Sequence, residues 1–282
     1  MSGLFDALSF SFMQRALAAG LLVAVLQGSL GPFLVLRGYS LLGAGLGQVA
    51  FAGVAIGLAA GWQPLATALV IVLGAAVAIE ALRQRGVVLS DAAVAVLFTG
   101  GLGIGVTVVS AGPGFSGDLF GYLFGSLLTV AGRDITVLAW VTGLLGLALA
   151  LGLKELLYVT LDEEGARAAG LPAGLVNVAF MAGVSIATVL AVQVVGVLLV
   201  SALMVLPATA GLRLASSFRG AIVASIALAV ASVLIGLDAA VRLDVAAGGA
   251  VAASSVLLLA LAVAYKRVVA LRRRRAVQIT TA

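Results

Sequence analysis

Stretches of about 20 apolar residues recur along almost the whole chain, and each is long enough to cross the hydrocarbon core of a bilayer as a helix. They run approximately over 13–36, 41–61, 64–82, 91–111, 134–156, 175–193, 196–214, 220–240 and 246–268. In lipid, every backbone N–H and C=O needs a partner within the segment or within a closed barrel. A barrel would show segments of about ten residues with alternating polarity, and that alternation is absent. The expected fold is therefore all-α: a polytopic transmembrane helix bundle of about nine spans, in a range of eight to ten.

Composition points the same way. Of 282 residues, 63% are hydrophobic and 10% charged, against about 25% charged in an ordinary soluble domain. A surface that poor in charge excludes a soluble globular protein. The chain has no cysteine and no histidine, so it has neither disulfide nor thiolate or imidazole metal ligand. No metal site and no cofactor are expected of it. The net charge of +5 does not indicate nucleic acid, because the basic residues lie between apolar runs and in the tail Arg272–Arg275. Such a cluster sits well against anionic lipid headgroups.

One transmembrane domain, 1–282, accounts for the whole chain, with a charged connection at 157–174 and a basic tail at 266–282. Residues Met1 to Phe12 lack the basic start of a secretory signal and read as an interfacial lead into the first span. The long run from Leu175 to Leu214 is expected to divide near Gln193 and Gly196. The piece Leu119 to Val130 is too short to cross unaided and fits a re-entrant or interfacial helix. With the Arg-rich tail inside, nine spans place Arg37, Arg83, Arg85, Lys154, Arg167, Arg213, Arg219, Lys266 and Arg267 inside as well. Only Arg15, Arg133 and Arg242 fall outside. Lys and Arg concentrate on the cytoplasmic side, so the C-terminus is expected in the cytoplasm of a bacterial-type cell membrane.

Small residues repeat at four-residue spacing: Ala16, Gly20, Ala24 and Gly28, then Gly53, Gly57 and Gly61, then Gly101 and Gly105. Such stripes let helices approach closely in lipid, either within one subunit or at a dimer seam. The spans carry almost no ionisable residue of the kind an ion-coupled carrier keeps at membrane depth. Glu80, a turn before Arg83, reads as a surface pair at the inner end of its span. The chain has no Gly-x-x-x-x-Gly-Lys-Ser/Thr phosphate loop, so it is not expected to hydrolyse ATP; a pump of this kind takes its energy from another subunit. In the charged connection, Asp162, Glu163 and Glu164 suit a helix N-terminus, where the dipole favours carboxylates. Gly170 and Pro172 mark the stop. Alone, this segment reads equally as a short helix or as a solvated loop.

Three stretches resemble signatures of the zinc- and manganese-type metal ABC transporter permeases. The first runs from Gly31-Pro32-Phe33 through Arg37 and Gly43 to Gly57. The second is Leu161-Asp162-Glu163-Glu164-Gly165-Ala166-Arg167 to Leu171. The third is Gln193-Val194-Val195-Gly196 through Pro207 to Ala210. Weaker echoes lie at Leu123–Leu128 and Leu243–Gly249, and all occur in the family's order. The resemblance implies a type II ABC importer-like fold and a homodimeric permease core. It implies two cytoplasmic ATPase subunits and an extracytoplasmic solute-binding protein as partners. It also implies that Asp162, Glu163, Glu164, Arg167 and Gly170 belong to a coupling helix that docks into the ATPase. Gln48, Ala44, Gln193 and Pro207 would then lie along the substrate pathway. Pro207 is expected to break its helix near the inner end, as a gate element or as a packing kink.

The chain departs from the family in one place. Where the metal permeases typically carry an Asp and, four residues on, a His, this chain has Ala44 and Gln48. One helical turn puts such a pair on one face, which suits a transient divalent metal site. Ala44 offers no ligand atom and Gln48 only a neutral amide, which leaves open a contact with substrate or with a neighbouring helix. The expected function is the permease subunit of an ABC importer for metal ions of the zinc or manganese type. The alternatives are a permease for a chelate or non-metal solute, a stand-alone channel or carrier, and a membrane scaffold.

Overall fold

The computed structural model describes residues 10–86, 90–111 and 131–280. The piece 119–130 and the echo at 123–128 lie outside them. Every element among the described residues is a helix: α1 (Ser11–Leu36), α2 (Leu42–Ala59), α3 (Pro64–Gln84), α4 (Ser90–Ala111), α5 (Gly132–Leu151), α6 (Leu153–Leu161), α7 (Glu163–Ala168), α8 (Ala173–Val195), α9 (Val197–Leu214), α10 (Phe218–Leu243) and α11 (Ala247–Thr280). Eight of these are long and apolar enough to cross a membrane. The run 196–214 forms α9, whose apolar part, Val200–Leu214, is shorter than the others. The basic tail is not a loose extension, since α11 continues through it to Thr280.

Local chemistry sets the boundaries. Gln63 caps α3 by accepting from the Ala66 amide at 2.9 Å, with Pro64 opening the first turn, where its missing N–H is no loss. Ser217 caps α10 through the Gly220 amide at 3.2 Å. The division of the long run 175–214 falls at Gly196, whose backbone sits at φ 87°, ψ 158°, a region open essentially to glycine alone. One residue thus turns the chain from α8 into α9. Pro207 does not break its helix, contrary to expectation: α9 runs through it unbroken to Leu214. The fifth apolar run is shorter than its hydropathy implies. It stops at Leu151, and after Gly152 the chain restarts as α6, which buries Leu156 and Val159 and leaves Lys154 and Glu155 exposed.

The core is built around α1, α2 and α8, whose apolar stretches are 72%, 78% and 67% buried, whereas that of α5 is 6% buried among the described residues. Helix α2 packs on α4, α3, α9 and α8, while α1 packs on α10, α9, α5 and α8. The small-residue stripes make these crossings within one subunit. A side chain at Gly20 would meet Val233, and one at Gly28 the backbone of Ile226, so this face of α1 belongs to α10. Gly53 and Gly57 face Ala68, Pro64 and Thr67 of α3; Gly101 and Gly105 face Gln48, Val49 and Phe51 of α2. Gly61 does not continue the stripe; it ends α2 at φ 68°.

Candidate functional site

Polar side chains gather where α1 and α3 end, α6 and α7 lie, and α8 begins. Arg37, just past α1, donates from Nε to Thr160 Oγ1 at 3.0 Å and from Nη1 to Asn177 Oδ1 at 2.8 Å. Its guanidinium lies 4.7 Å from the ring centroid of Phe180, a favourable cation–π position. Burial pulls this guanidinium below its ordinary pKa, against the raising influence of Glu80, Tyr39 and Glu163. Phe180 in turn meets Phe33, which stacks edge-on against Phe218 at 4.9 Å. An aromatic layer therefore lies beneath the polar one.

On α3, Arg83 binds Glu80 with both prongs of its fork, at 2.9 and 2.7 Å, and Gln84 adds a bond to Glu80 at 2.9 Å. The spacing-based pairing holds, but its location does not. Glu80 is 1% exposed, because α3 is packed on α2 and α8, so this is a buried pair and not a surface one. Arg83 also reaches Glu163 of α7 at 3.2 Å.

The acidic segment is helical. Asp162 caps α7, accepting from the Gly165 amide at 2.8 Å. Gly170 leaves it at φ 83°, with the Leu171 amide bonded back to the Ala166 carbonyl at 3.0 Å. That is the left-handed glycine stop typical of helix ends. Glu163 accepts from Arg167 at 2.6 Å and from Asn177 at 3.1 Å. Glu164 is exposed. The five residues read from the sequence as one acidic helix therefore divide: Asp162 and Gly170 shape its ends, Glu163 faces the bundle, Arg167 is exposed and pairs with Glu163 along the helix, and Glu164 faces outward. Thr160 and Asn177 were not singled out by residue pattern, and Arg37 only as an inner-side basic residue and a member of the first signature. An Asn in the first turns of an otherwise apolar run was the available signal.

Ala44 and Gln48 share a face of α2. Gln48 is 6% exposed, and its Oε1 is buried with no hydrogen-bond partner among the described residues. Ala44 is partly exposed. Next to them in the chain, Gly43 and Gly47 lie against Met204 and Val197 of α9, which brings α2 alongside the helix that carries Pro207. Gln193, in the last turn of α8, is partly exposed, and Pro207 is buried. These four residues stand on mutually packed helices, and no hydrogen bond joins them. Among the described residues, no three of His, Cys, Asp or Glu gather where they could hold a metal. A second buried polar pair of helices was missed by sequence reading. Gln27 of α1, fully enclosed, donates to the Ala187 carbonyl of α8 at 3.4 Å, and its Oε1 and the neighbouring Thr188 hydroxyl have no partner among the described residues.

The ABC 3 transport family matches residues 9–266 of the chain. This protein belongs to that family. It is 31% identical over 255 residues to a manganese transport system membrane protein of Halalkalibacterium halodurans, covering 90% of this chain and 87% of that one. It is 30% identical to a manganese import system permease protein of Streptococcus gordonii, covering 92% and 91%. Among solved structures, PsaBC from Streptococcus pneumoniae in complex with Fab superposes with a TM-score of 0.82 at 28% identity, covering 92% of this chain and 94% of that one. The all-helical, multi-pass membrane fold expected from the apolar runs is thus that of an ABC transporter permease.

Proposed function

We propose that this chain is the membrane-spanning subunit of an ABC importer for a divalent metal ion of the manganese or zinc class. The observation that carries the reading is likeness over nearly the full length to permeases of manganese systems, in sequence and in fold. In this reading two copies form the core, two cytoplasmic ATPase subunits dock on the segment 157–174, and an extracytoplasmic binding protein delivers the cargo. The C-terminal basic stretch 266–282 faces the cytoplasm. Gln48, Ala44, Gln193 and Pro207 border the path, with Pro207 acting within an intact helix.

The metal here is cargo, and the pathway face is built for weak contact. Tight zinc or manganese sites use thiolate, imidazole or carboxylate, and α2 presents an amide and a methyl group. Selectivity then rests with the binding protein, and the permease supplies passage. The test is uptake of manganese and zinc by proteoliposomes holding the permease, its ATPase and its binding protein. ATP-dependent accumulation of either ion supports the reading. ATP-dependent uptake of only a chelate or an organic solute would overturn the choice of cargo.

A further inference from the structure

We propose that Glu163 is a positioning residue that locks the acidic helix to the membrane-spanning helices, and that Glu164, not Glu163, is left for the ATPase. The proposal rests on the reading of α7 as the coupling helix. Helix α7 has six residues, too few to persist without tertiary contacts. Its apolar hold is small: Ala166 is its one buried residue and sits in a small cluster with Val159 and Ala173, flanked by the half-buried Leu171 and Val176, beside the main core. Something polar must orient it.

That hold converges on one carboxylate. Glu163 Oε2 accepts from Arg83 at 3.2 Å, and Arg83 is itself clamped by the buried Glu80, so this branch ends inside α3. Glu163 Oε1 accepts from the Asn177 amide at 3.1 Å. The other side of that amide accepts from Arg37 at 2.8 Å, so this branch runs through α8 to the end of α1. Arg37 closes a loop by donating to Thr160 in α6. Charge-assisted hydrogen bonds of this kind are the strong ones. A shift of α7 by 1–2 Å, roughly the size of helix shifts seen at switching interfaces, would break several of them together. The acidic helix therefore moves with α1, α3 and α8 as one body. Glu164 makes no hydrogen bond or ion pair among the described residues and is exposed, so it is free for a partner.

Two measurements test this. In the complete reconstituted complex, Glu163→Gln should keep the ATPase subunits bound but lower cargo transported per ATP by about tenfold, the scale of one charge-assisted hydrogen bond. Asn177→Leu, which cuts only the branch to α8 and α1, should lower the same ratio. Glu163→Asp, which keeps the charge, should restore part of it. Glu164→Lys should instead weaken retention of the ATPase and leave the ratio of the remaining complexes unchanged. Wild-type coupling in Glu163→Gln, or loss of the ATPase in that variant as in Glu164→Lys, would overturn the proposal. The second measurement needs no partner. With spin labels on Ala168→Cys and Arg85→Cys in the cysteine-free chain, the distance distribution should be narrow and should broaden on adding Glu163→Gln. An unchanged distribution would refute the lock even if transport is confirmed. A broadened one, in a complex that shows no ATP-driven uptake, would keep the lock and sink the transporter reading.

Discussion

Gly31 of α1 lies directly on the backbone carbonyl of Met204 in α9, with the Ala208 methyl group 2.8 Å from where a side chain would begin. The two helices, each with a proline inside, Pro32 and Pro207, thus touch main chain to main chain. We predict that Gly31→Ala destabilises the purified protein by about 1–3 kcal/mol, the usual cost of overpacking, and that Gly31→Val prevents folding. Gly74→Ala is the matched control, since that glycine of α3 has open space around it and alanine favours a helix by about 1 kcal/mol. Thermal unfolding in detergent should separate the two alanine variants. Equal stability would show that α1 and α9 do not meet this way.

Arg83 neutralises a carboxylate that is 1% exposed. Removing it leaves a buried charge without its partner, which in proteins costs about 3–5 kcal/mol. Arg83→Ala is therefore expected to lower the melting temperature sharply. The double variant Glu80→Gln with Arg83→Gln should lose less than the single one, because no charge is left stranded. If the single variant proved as stable as the parent, the buried pair would be ruled out.

Ala44→Asp together with Gln48→His would put two metal ligands one helical turn apart on α2. Zinc binding to the isolated permease should then rise by about tenfold or more, a change of about 1.4 kcal/mol, measured by calorimetry at a pH where imidazole is neutral. The unmodified chain should show no tight site. Stoichiometric zinc or manganese binding by the parent that Gln48→Ala abolishes would contradict the weak-contact reading.

Much of this architecture is readable from residues alone, and the reason is physical. A span in lipid must be a run of apolar residues, so the helices from Ser11 to Val268 stand out without any knowledge of their neighbours. The ends of α7 were readable too, because Asp162 and Gly170 act through local backbone geometry. What escaped was everything decided by distant helices. Pairing of Glu80 with Arg83 follows from three-residue spacing, but its enclosure depends on α2 and α8. Glu163 and Glu164 are adjacent and chemically identical in sequence. Only the approach of Arg83 and Asn177, 80 and 14 residues away, gives them different surroundings. Pro207 misled for a related reason: proline breaks an isolated helix, whereas in a packed bundle neighbouring helices can absorb the lost hydrogen bond.

Helix α5 leans on α1 with almost all its apolar surface turned outward, Trp140 being 77% and Leu151 76% exposed. With few protein contacts to hold it, this helix can answer to the bilayer, where mismatch between helix length and hydrocarbon thickness costs fractions of a kcal/mol per Å. Gly152 alone separates this helix from α6, which Asp162 joins to the acidic helix. Thickness of the surrounding membrane thus pulls on one end of the segment α6–α7 while Arg83 and Asn177 hold the other. The acyl-chain length of a reconstitution lipid is, for this protein, a mechanical load.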